Sequence, residues 1–311
     1  MHPYISSEKE FLMVASSPLP YVVFGVTGRT GAAAADALLR SGHPVRVVVR
    51  DSAKSQQWSE RGAEVVVADM TDLASMIEAL SQAQGAYVVS PQHYHREDLF
   101  ERADFIVDNI ARAAVAAAVP RLVALSSVGA DRERGTGWIR MNHRFEQRLS
   151  ETGVPTIFLR AAYFMENWMP MIEEAIRSGI LPTFLAPSQR SIPMVATVDI
   201  GRVAAALLQE ERMSTGVVAL SGPKDYAPNN VAGIISAMLA KPISVTVLPE
   251  TEWPKALVDA HFSKAALAGF TEMTRGLNSS YIDIKSDSGV VEMLGTTMLE
   301  QVIVELVQRQ R

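Results

Sequence analysis

Residues 21–40 read YVVFGVTGRTGAAAADALLR, and this stretch indicates the fold more directly than any other part of the chain. Its first four residues are apolar and suit a short buried strand. Residues 32–40 have the period of a helix, which is expected to end before Gly42. The stretch therefore predicts a strand, a glycine-rich turn and a helix in succession.

The turn itself predicts a site for a dinucleotide. Gly25 permits a tight turn, Gly28 lets the backbone approach a pyrophosphate, and Gly31 lets the helix pack close to the strand. Free N–H groups at the start of the helix then attract negative charge. The predicted cofactor contacts from the turn are Gly25, Thr27, Gly28, Arg29, Thr30 and Gly31.

Between residues 21 and 159 short apolar runs alternate with stretches of helical period, which is typical of βαβ units around a parallel sheet. The predicted strands span residues 21–24, 45–49, 64–67, 86–89, 122–125 and 156–159, with further helices at 72–80 and 105–117. This rhythm predicts an α/β fold with a Rossmann-type, doubly wound parallel sheet.

The domain prediction follows from where this rhythm changes. A Rossmann domain is predicted over residues 21–160, re-entered at about 192–220, with a smaller C-terminal substrate or partner lobe over most of 161–311. Residues 1–20 lack periodicity and are predicted to be a flexible extension. Residues 298–308 carry apolar side chains at helical spacing, a strip that either packs against the core or supports a homodimer.

Composition excludes several classes of function. A formal net charge of -5 and the absence of a basic cluster argue against direct nucleic-acid binding. The chain has no cysteine, which removes disulfides, thiolate metal sites and cysteine nucleophiles. No run of about 18 apolar residues occurs, so we expect no membrane span and a cytoplasmic location. His93 and His95 lack a third ligand, and no metal site is predicted.

The residue after the second strand predicts which cofactor binds. Chains that bind NAD usually offer a carboxylate there to the ribose, whereas chains that bind NADP offer a cation. Arg50 directly follows the strand at residues 45–49, and Lys54 and Arg29 are further cations. NADP(H) is therefore preferred. NAD(H) remains possible if Asp51 binds the ribose diol, although Asp51 could equally cap a short helix.

Several segments together resemble the NmrA-like atypical short-chain dehydrogenases/reductases. They are residues 25–31, Arg50, residues 62–69 (GAEVVVAD), 126–130 (SSVGA), 159–160 followed by 163–167 (YFMEN), and 192–201 (IPMVATVDIG). The resemblance extends from Tyr21 to about Trp253. It implies an NAD(P)-binding core with these cofactor contacts: Asp69 and Met70 near the adenine, Ser90, Pro91 and Gln92 along the cofactor, and Ala162, Tyr163 and Phe164 near the nicotinamide. Ser126 and Asn142 are further predicted cofactor contacts. Asp69 could instead cap the next helix, and the two aromatic residues could be core residues.

The catalytic residues cannot be assigned from the sequence. Short-chain dehydrogenases normally use a Tyr-x-x-x-Lys pair, in which the lysine lowers the tyrosine pKa. Alignment back from residues 153–155 puts Trp138 and Asn142 at those positions, and neither titrates near neutral pH. His143 is a possible proton donor, because its ordinary pKa is suitable.

Two functions remain. One is an NADPH-dependent reductase of a small electrophilic organic molecule, such as a quinone, an iminium ion or a conjugated cation. The other is a catalytically silent NADP(H) sensor or transcriptional regulator that acts through a protein partner. Aromatic and polar side chains suited to a small-molecule pocket are Trp138, Tyr163, Asn167 and Trp168, although core packing explains Trp168 equally well.

Overall fold

A computed structural model describes residues 18–284 and 289–308. Most of the predicted N-terminal extension, residues 1–17, lies outside the described residues. Within the described ranges, no helix combines the length and the hydropathy needed to cross a lipid bilayer.

The strands and helices alternate along the first half of the chain and again near its end. The strands are β1 (Tyr21–Val23), β2 (Val45–Val49), β3 (Glu64–Val67), β4 (Gly85–Val88), β5 (Leu122–Ser127), β6 (Thr156–Ala161), β7 (Tyr163–Phe164), β8 (Ile180–Thr183), β9 (Met194–Val195), β10 (Gly216–Ser221), β11 (Ser244–Val247) and β12 (Val290–Leu294). The α-helices are α1 (Arg29–Arg40), α2 (Gln56–Ser59), α3 (Leu73–Leu80), α4 (Leu99–Ala116), α5 (Arg140–Ser150), α6 (Met169–Ser178), α7 (Thr197–Gln209), α8 (Pro228–Leu239), α9 (Trp253–Ala256), α10 (Lys264–Asn278) and α11 (Leu299–Gln308).

The central sheet has eight strands in the order β12-β10-β6-β5-β4-β1-β2-β3. All of its pairs are parallel, because each strand is reached by a crossover from the previous one. The chain moves outward from β1 to β3 and then returns to the other side of β1 at β4. This reversal is the switch point at which doubly wound sheets bind ligands. The predicted Rossmann-type α/β fold is confirmed.

Two helical layers cover the sheet. One buried cluster joins α1 and α7 to one face, and a second joins α3, α4 and α5 to the other face. Gly201 in α7 lies so close to α1 that an added Cβ atom would be 2.4 Å from the Cβ atom of Ala33. The absence of a side chain at this position therefore lets α7 pack directly on the helix that begins at the glycine turn.

Two predicted helices begin earlier in the structure, and one strand of the central sheet was not predicted. Helix α1 begins at Arg29 rather than residue 32, and α4 begins at Leu99 rather than residue 105. Strand β12 was not predicted, and it adds an eighth strand beside β10. The chain therefore returns to the sheet twice after residue 161, whereas the sequence indicated one return, and the division into domain and lobe stays a prediction.

A second hydrophobic core lies outside the main sheet layers and includes α6, α8 and α11. The helix predicted at residues 298–308 is present, and its apolar strip is buried in this core. That burial resolves one alternative from the sequence, because the strip is covered by this chain and is not available to a second copy. The carboxylate of Asp199 ties the segment before α11 to α7, accepting hydrogen bonds from the backbone N–H (2.7 Å) and the hydroxyl (2.9 Å) of Thr297.

Candidate functional site

The glycine turn leaves the first turn of α1 open. Gly25 adopts a positive φ of 71°, and its carbonyl accepts the N–H of Gly28 at 2.9 Å. A Cβ atom on Gly31 would lie 2.4 Å from the Gly25 carbonyl oxygen, so only glycine fits there. Helix α1 begins after Gly28 with no side-chain cap and no acidic residue in its first turn. Its N–H groups are therefore available to an anion.

The carboxyl ends of the parallel strands bring many of the predicted residues to one edge of the sheet. The glycine turn follows β1, Arg50 follows β2, Asp69 follows β3, and Ser90 follows β4. Further along the same edge, Ala162 follows β6, and its N–H donates to Leu220 in β10 at 2.9 Å.

Asp51 and Asp69 have different local roles. The Asp51 carboxylate accepts the N–H of Ala53 at 2.9 Å and caps a short 3₁₀ helix over Ser52–Lys54. The cap is one of the alternatives that the sequence left open. Asp69 does not cap α3, since Asp72 does so by accepting the N–H of Ala74 at 3.0 Å. Instead, two hydrogen bonds from Thr71, both 2.8 Å, hold the Asp69 carboxylate and lower its pKa.

The three predicted phosphate-binding cations do not all face the same space. Arg29 and Lys54 line an open groove of about 1290 Å³ that also runs along the outer side of α1 and past Gln301 and Glu305 of α11. Arg50 is not among the residues that line this groove. Its guanidinium group acts electrostatically on Asp69, across the neighbouring strand end.

The segment after β4 holds two buried polar atoms that lack a partner within the described structure. They are the Ser90 hydroxyl oxygen and His93 Nε2. Of the two residues, Ser90 is a predicted cofactor contact, whereas His93 was considered above only as a metal ligand. Pro91 is half-buried, whereas Gln92 is exposed and its amide reaches back to the Ser90 carbonyl at 3.4 Å.

Ser126 forms a hydrogen bond with a buried ion pair. Its hydroxyl donates to Glu146 at 2.5 Å, and Glu146 also accepts from Arg160 at 2.8 and 2.6 Å. These contacts join β5, β6 and α5 beneath the site. The pair was not predicted, although a glutamate at a buried position of an amphipathic helix and an arginine in an apolar strand are signals that the sequence carries.

Trp138 lies in a cluster of aromatic residues. It precedes α5 in a short 3₁₀ helix, its Nε1–H donates to the Ala266 carbonyl at 2.8 Å, and its ring stacks on Tyr94 with centroids 3.8 Å apart. Asn142 is half-buried on the first turn of α5. The neighbouring His143 bonds through Nδ1 to the Ala130 carbonyl at 2.8 Å. Trp138 and Asn142, which the sequence aligns with the Tyr-x-x-x-Lys pair, have side chains that do not titrate near neutral pH.

The predicted nicotinamide segment lies at the junction of the sheet and the second core. Tyr163 and Phe164 are half-buried and form β7, which pairs with β9. Burial raises the pKa of the Tyr163 hydroxyl, which interacts with the exposed Asn167. Trp168 has no accessible surface and is a residue of the second core, which is the alternative left open by the sequence.

Glu166 fixes this segment to the beginning of α7. Its buried carboxylate accepts the backbone N–H of Thr197 at 2.9 and 3.1 Å and the Thr197 hydroxyl at 2.5 Å. In the described part of the chain, no group of three or more histidine and acidic side chains could hold a metal ion.

An open glycine turn at the switch point of a parallel sheet defines the class of dinucleotide-binding α/β proteins. The chain matches the model of the NmrA-like family over residues 21–294 and belongs to that family, as the sequence predicted.

This chain is similar over most of its length to three reductases. The NAD(P)H azoreductase of Xenophilus azovorans is 24% identical over 257 residues, which are 79% of this chain and 86% of that protein. The structure of the NADPH-dependent quinone oxidoreductase of Escherichia coli, complexed with NADPH, has a TM-score of 0.76 at 21% identity over 92% of this chain and 99% of that one. Triphenylmethane reductase of Citrobacter sp., complexed with NADP(H), has a TM-score of 0.78 at 20% identity, with the same shares covered.

Proposed function

We propose that this chain is an NADPH-dependent oxidoreductase that reduces a small electrophilic organic molecule. The observation that carries the proposal is the uncapped first turn of α1 behind Gly25, Gly28 and Gly31, at the switch point of the sheet. The cation at Arg50 and the capping role of Asp51 favour NADPH over NADH, because Arg50 offers a positive charge to a phosphate and the Asp51 carboxylate accepts the N–H of Ala53. The named activities of the azoreductase, the quinone oxidoreductase and the triphenylmethane reductase support a reductase in particular.

The residues present fit the cofactor. The N–H groups at the start of α1 would hold the pyrophosphate, and Gly28, the residue before the helix, carries no side chain beside them. The Ser90 hydroxyl, which has no hydrogen-bond partner within the described residues, would supply a further polar contact, and Ala162, Tyr163 and Phe164 would lie beside the nicotinamide. When bound, NADPH supplies the hydride, and the protein supplies orientation and exclusion of water.

The substrate class follows from the lack of a proton-donating pair. The indole N–H of Trp138 is already donated to Ala266, and Asn142 cannot titrate. Burial raises the pKa of the Tyr163 hydroxyl, and the residue four positions further on is Asn167 rather than the lysine of a Tyr-x-x-x-Lys pair. An acceptor that is already electrophilic, such as a quinone, an iminium ion or a conjugated cation, needs no such acid when hydride is transferred.

The test measures binding before turnover. The purified chain is titrated with NADPH and NADH, and oxidation of NADPH is then followed with quinones, iminium ions and cationic dyes. Preferential NADPH binding with turnover of one acceptor class is expected. If neither nucleotide binds to the folded protein, the proposal is wrong.

A second candidate is a regulator that binds NADP(H) without chemistry and transmits its redox state to a protein partner. The observation that favours it is the absence of a titratable group at positions 138 and 142. Tight binding with no turnover across the acceptor panel, together with a partner affinity that differs between NADPH and NADP⁺, would support this second function.

A further inference from the structure

Four separate elements bring charged or titratable groups together beyond the ends of β2, β3 and β4. Arg50 follows β2, Asp69 follows β3, His93 follows β4, and Arg102 lies in α4. Strands β2 and β3 are paired up to Val49 and Val67, so Arg50 and Asp69 leave the sheet side by side. Arg102 was not singled out by the sequence, because nothing local connects it with residues 50 and 69.

The position of Arg102 is fixed by the way α4 packs. The amide of Asn109, also in α4, donates to the Met70 carbonyl at 3.0 Å and holds this face of the helix against the segment that follows β3. Arg102 precedes Asn109 by about two helical turns, so both residues lie on the same face of α4, with Arg102 about 10 Å further toward the carboxyl edge. Arg102 therefore lies on the side of α4 that faces Asp69.

The electrostatics agree with this placement. After the two hydrogen bonds from Thr71, the guanidinium groups of Arg50 and Arg102 both contribute to the low pKa of Asp69. Burial lowers the pKa of His93, and Arg102 and Arg50 lower it further, with smaller effects from His95 and Arg96 in the same loop. Both arginines therefore act electrostatically on both Asp69 and His93.

This cluster has an excess of positive charge and an unused polar atom. The Asp69 carboxylate is already bonded to Thr71, and Arg96 is paired with Asp98 at 2.6 and 2.8 Å. His93 Nε2 is buried and has no hydrogen-bond partner among the described residues. A compact anion would satisfy both guanidinium groups and the imidazole.

We propose that Arg102 and His93, facing Arg50, complete the site for the 2′-phosphate of NADPH. The proposal rests on the proposed cofactor and adds two residues that determine its selectivity. Lys54 and Arg29 instead line the groove on the α1 side. Selectivity for NADPH then depends on an arginine about 50 positions away from Arg50 in the sequence.

The first test is the Arg102→Gln variant, with Arg112→Gln as the matched control. Arg112 is an exposed arginine on the same helix, about 15 Å further from the carboxyl edge. Dissociation constants are measured by calorimetry for NADPH, NADH, 2′,5′-ADP and 5′-AMP. Loss of a charge-assisted contact is expected to weaken the binding of NADPH and of 2′,5′-ADP about 10- to 100-fold. The dissociation constants of NADH and 5′-AMP should change less than about threefold. Arg112→Gln should leave the dissociation constants of all four nucleotides unchanged.

The second test uses pH and the His93→Gln variant. The free imidazole has a lowered pKa, and an adjacent phosphate dianion favours its charged form, so binding should take up a proton. Affinity for 2′,5′-ADP should therefore rise about three- to tenfold as pH falls from about 8 to about 6.5. This window lies above the phosphate's own second pKa of about 6. Affinity for 5′-AMP, and affinity for 2′,5′-ADP in His93→Gln, should change much less.

The outcomes separate this proposal from the proposed function. If the wild-type chain binds none of the nucleotides, the proposed cofactor is wrong. If wild type prefers NADPH but Arg102→Gln weakens NADPH and NADH equally, or weakens neither, the 2′-phosphate assignment of Arg102 is overturned. If the pH dependence persists unchanged in His93→Gln, the role of His93 is overturned. Circular dichroism and thermal unfolding of each variant establish that it is folded.

Discussion

Replacing Arg160 with methionine is expected to destabilise the fold strongly. The Glu146 carboxylate is about 10% exposed and accepts two hydrogen bonds from the guanidinium group of Arg160 and one from the Ser126 hydroxyl. Arg160→Met removes the two hydrogen bonds from the guanidinium group and leaves the buried carboxylate with the one from Ser126. Removing one partner of a buried ion pair costs about 3–5 kcal/mol in the free energy of unfolding. At about 2 °C per kcal/mol for a chain of this size, the midpoint of thermal unfolding should fall by roughly 6–10 °C.

The double variant tests whether the cost comes from the unpaired charge. Glu146→Gln removes the carboxylate charge and keeps an oxygen that can accept from Ser126. The double variant Glu146→Gln with Arg160→Met should therefore be more stable than Arg160→Met alone, by about 2 kcal/mol.

Urea unfolding of wild type, both single variants and the double variant completes this cycle, with circular dichroism and tryptophan fluorescence as independent probes. Arginine to methionine preserves much of the side-chain volume, which limits the effect of packing. The reasoning is refuted if Arg160→Met costs less than about 1 kcal/mol, or if the two single effects add without coupling.

Three further predictions concern the cofactor turn and the C-terminal helix. Gly31→Ala should weaken NADPH binding at least about tenfold, because the added Cβ atom would overlap the Gly25 carbonyl oxygen. Unchanged affinity in calorimetry would contradict this account of the turn. Arg50→Glu should weaken NADPH far more than NADH through loss of phosphate pairing. Equal losses in the same titration would show that Arg50 does not recognise the phosphate. Asp199→Ala should cost about 2–4 kcal/mol and accelerate amide exchange in α11, because both hydrogen bonds from Thr297 are lost. Asp199→Asn, which retains an acceptor, should be milder, and equal exchange rates in α11 for all three proteins would contradict the role of this anchor.

The central fold could be predicted from the sequence because its signals are local. Strands β2 and β3 begin and end at the predicted residues, since both are valine-rich, Pro44 and Gly62 come shortly before them, and Arg50 and Asp69 come shortly after them. Strand β12 was missed for a physical reason. It is an edge strand with half-buried or exposed residues and a central Glu292, so it lacks the continuous apolar run of an inner strand.

The site was less predictable where it depends on distant contacts. The glycine turn and Arg50 are legible from their neighbours in sequence. The aromatic cluster around Trp138 depends on Ala266, and the position of Arg102 depends on how Asn109 packs against Met70. No spacing rule connects residues so far apart, and only the packed helices show which side chains meet.

The late return of the chain to the sheet has a consequence during synthesis. Strand β12 is made about 70 residues after β10, which at 5–20 residues per second corresponds to a delay of about 3 to 14 seconds. Throughout that interval the outer edge of β10 has no partner from its own chain and exposes unpaired backbone groups. A nascent chain stalled within residues 222–289 is thus expected to be the species most prone to pairing with other chains, and one to which molecular chaperones should bind preferentially.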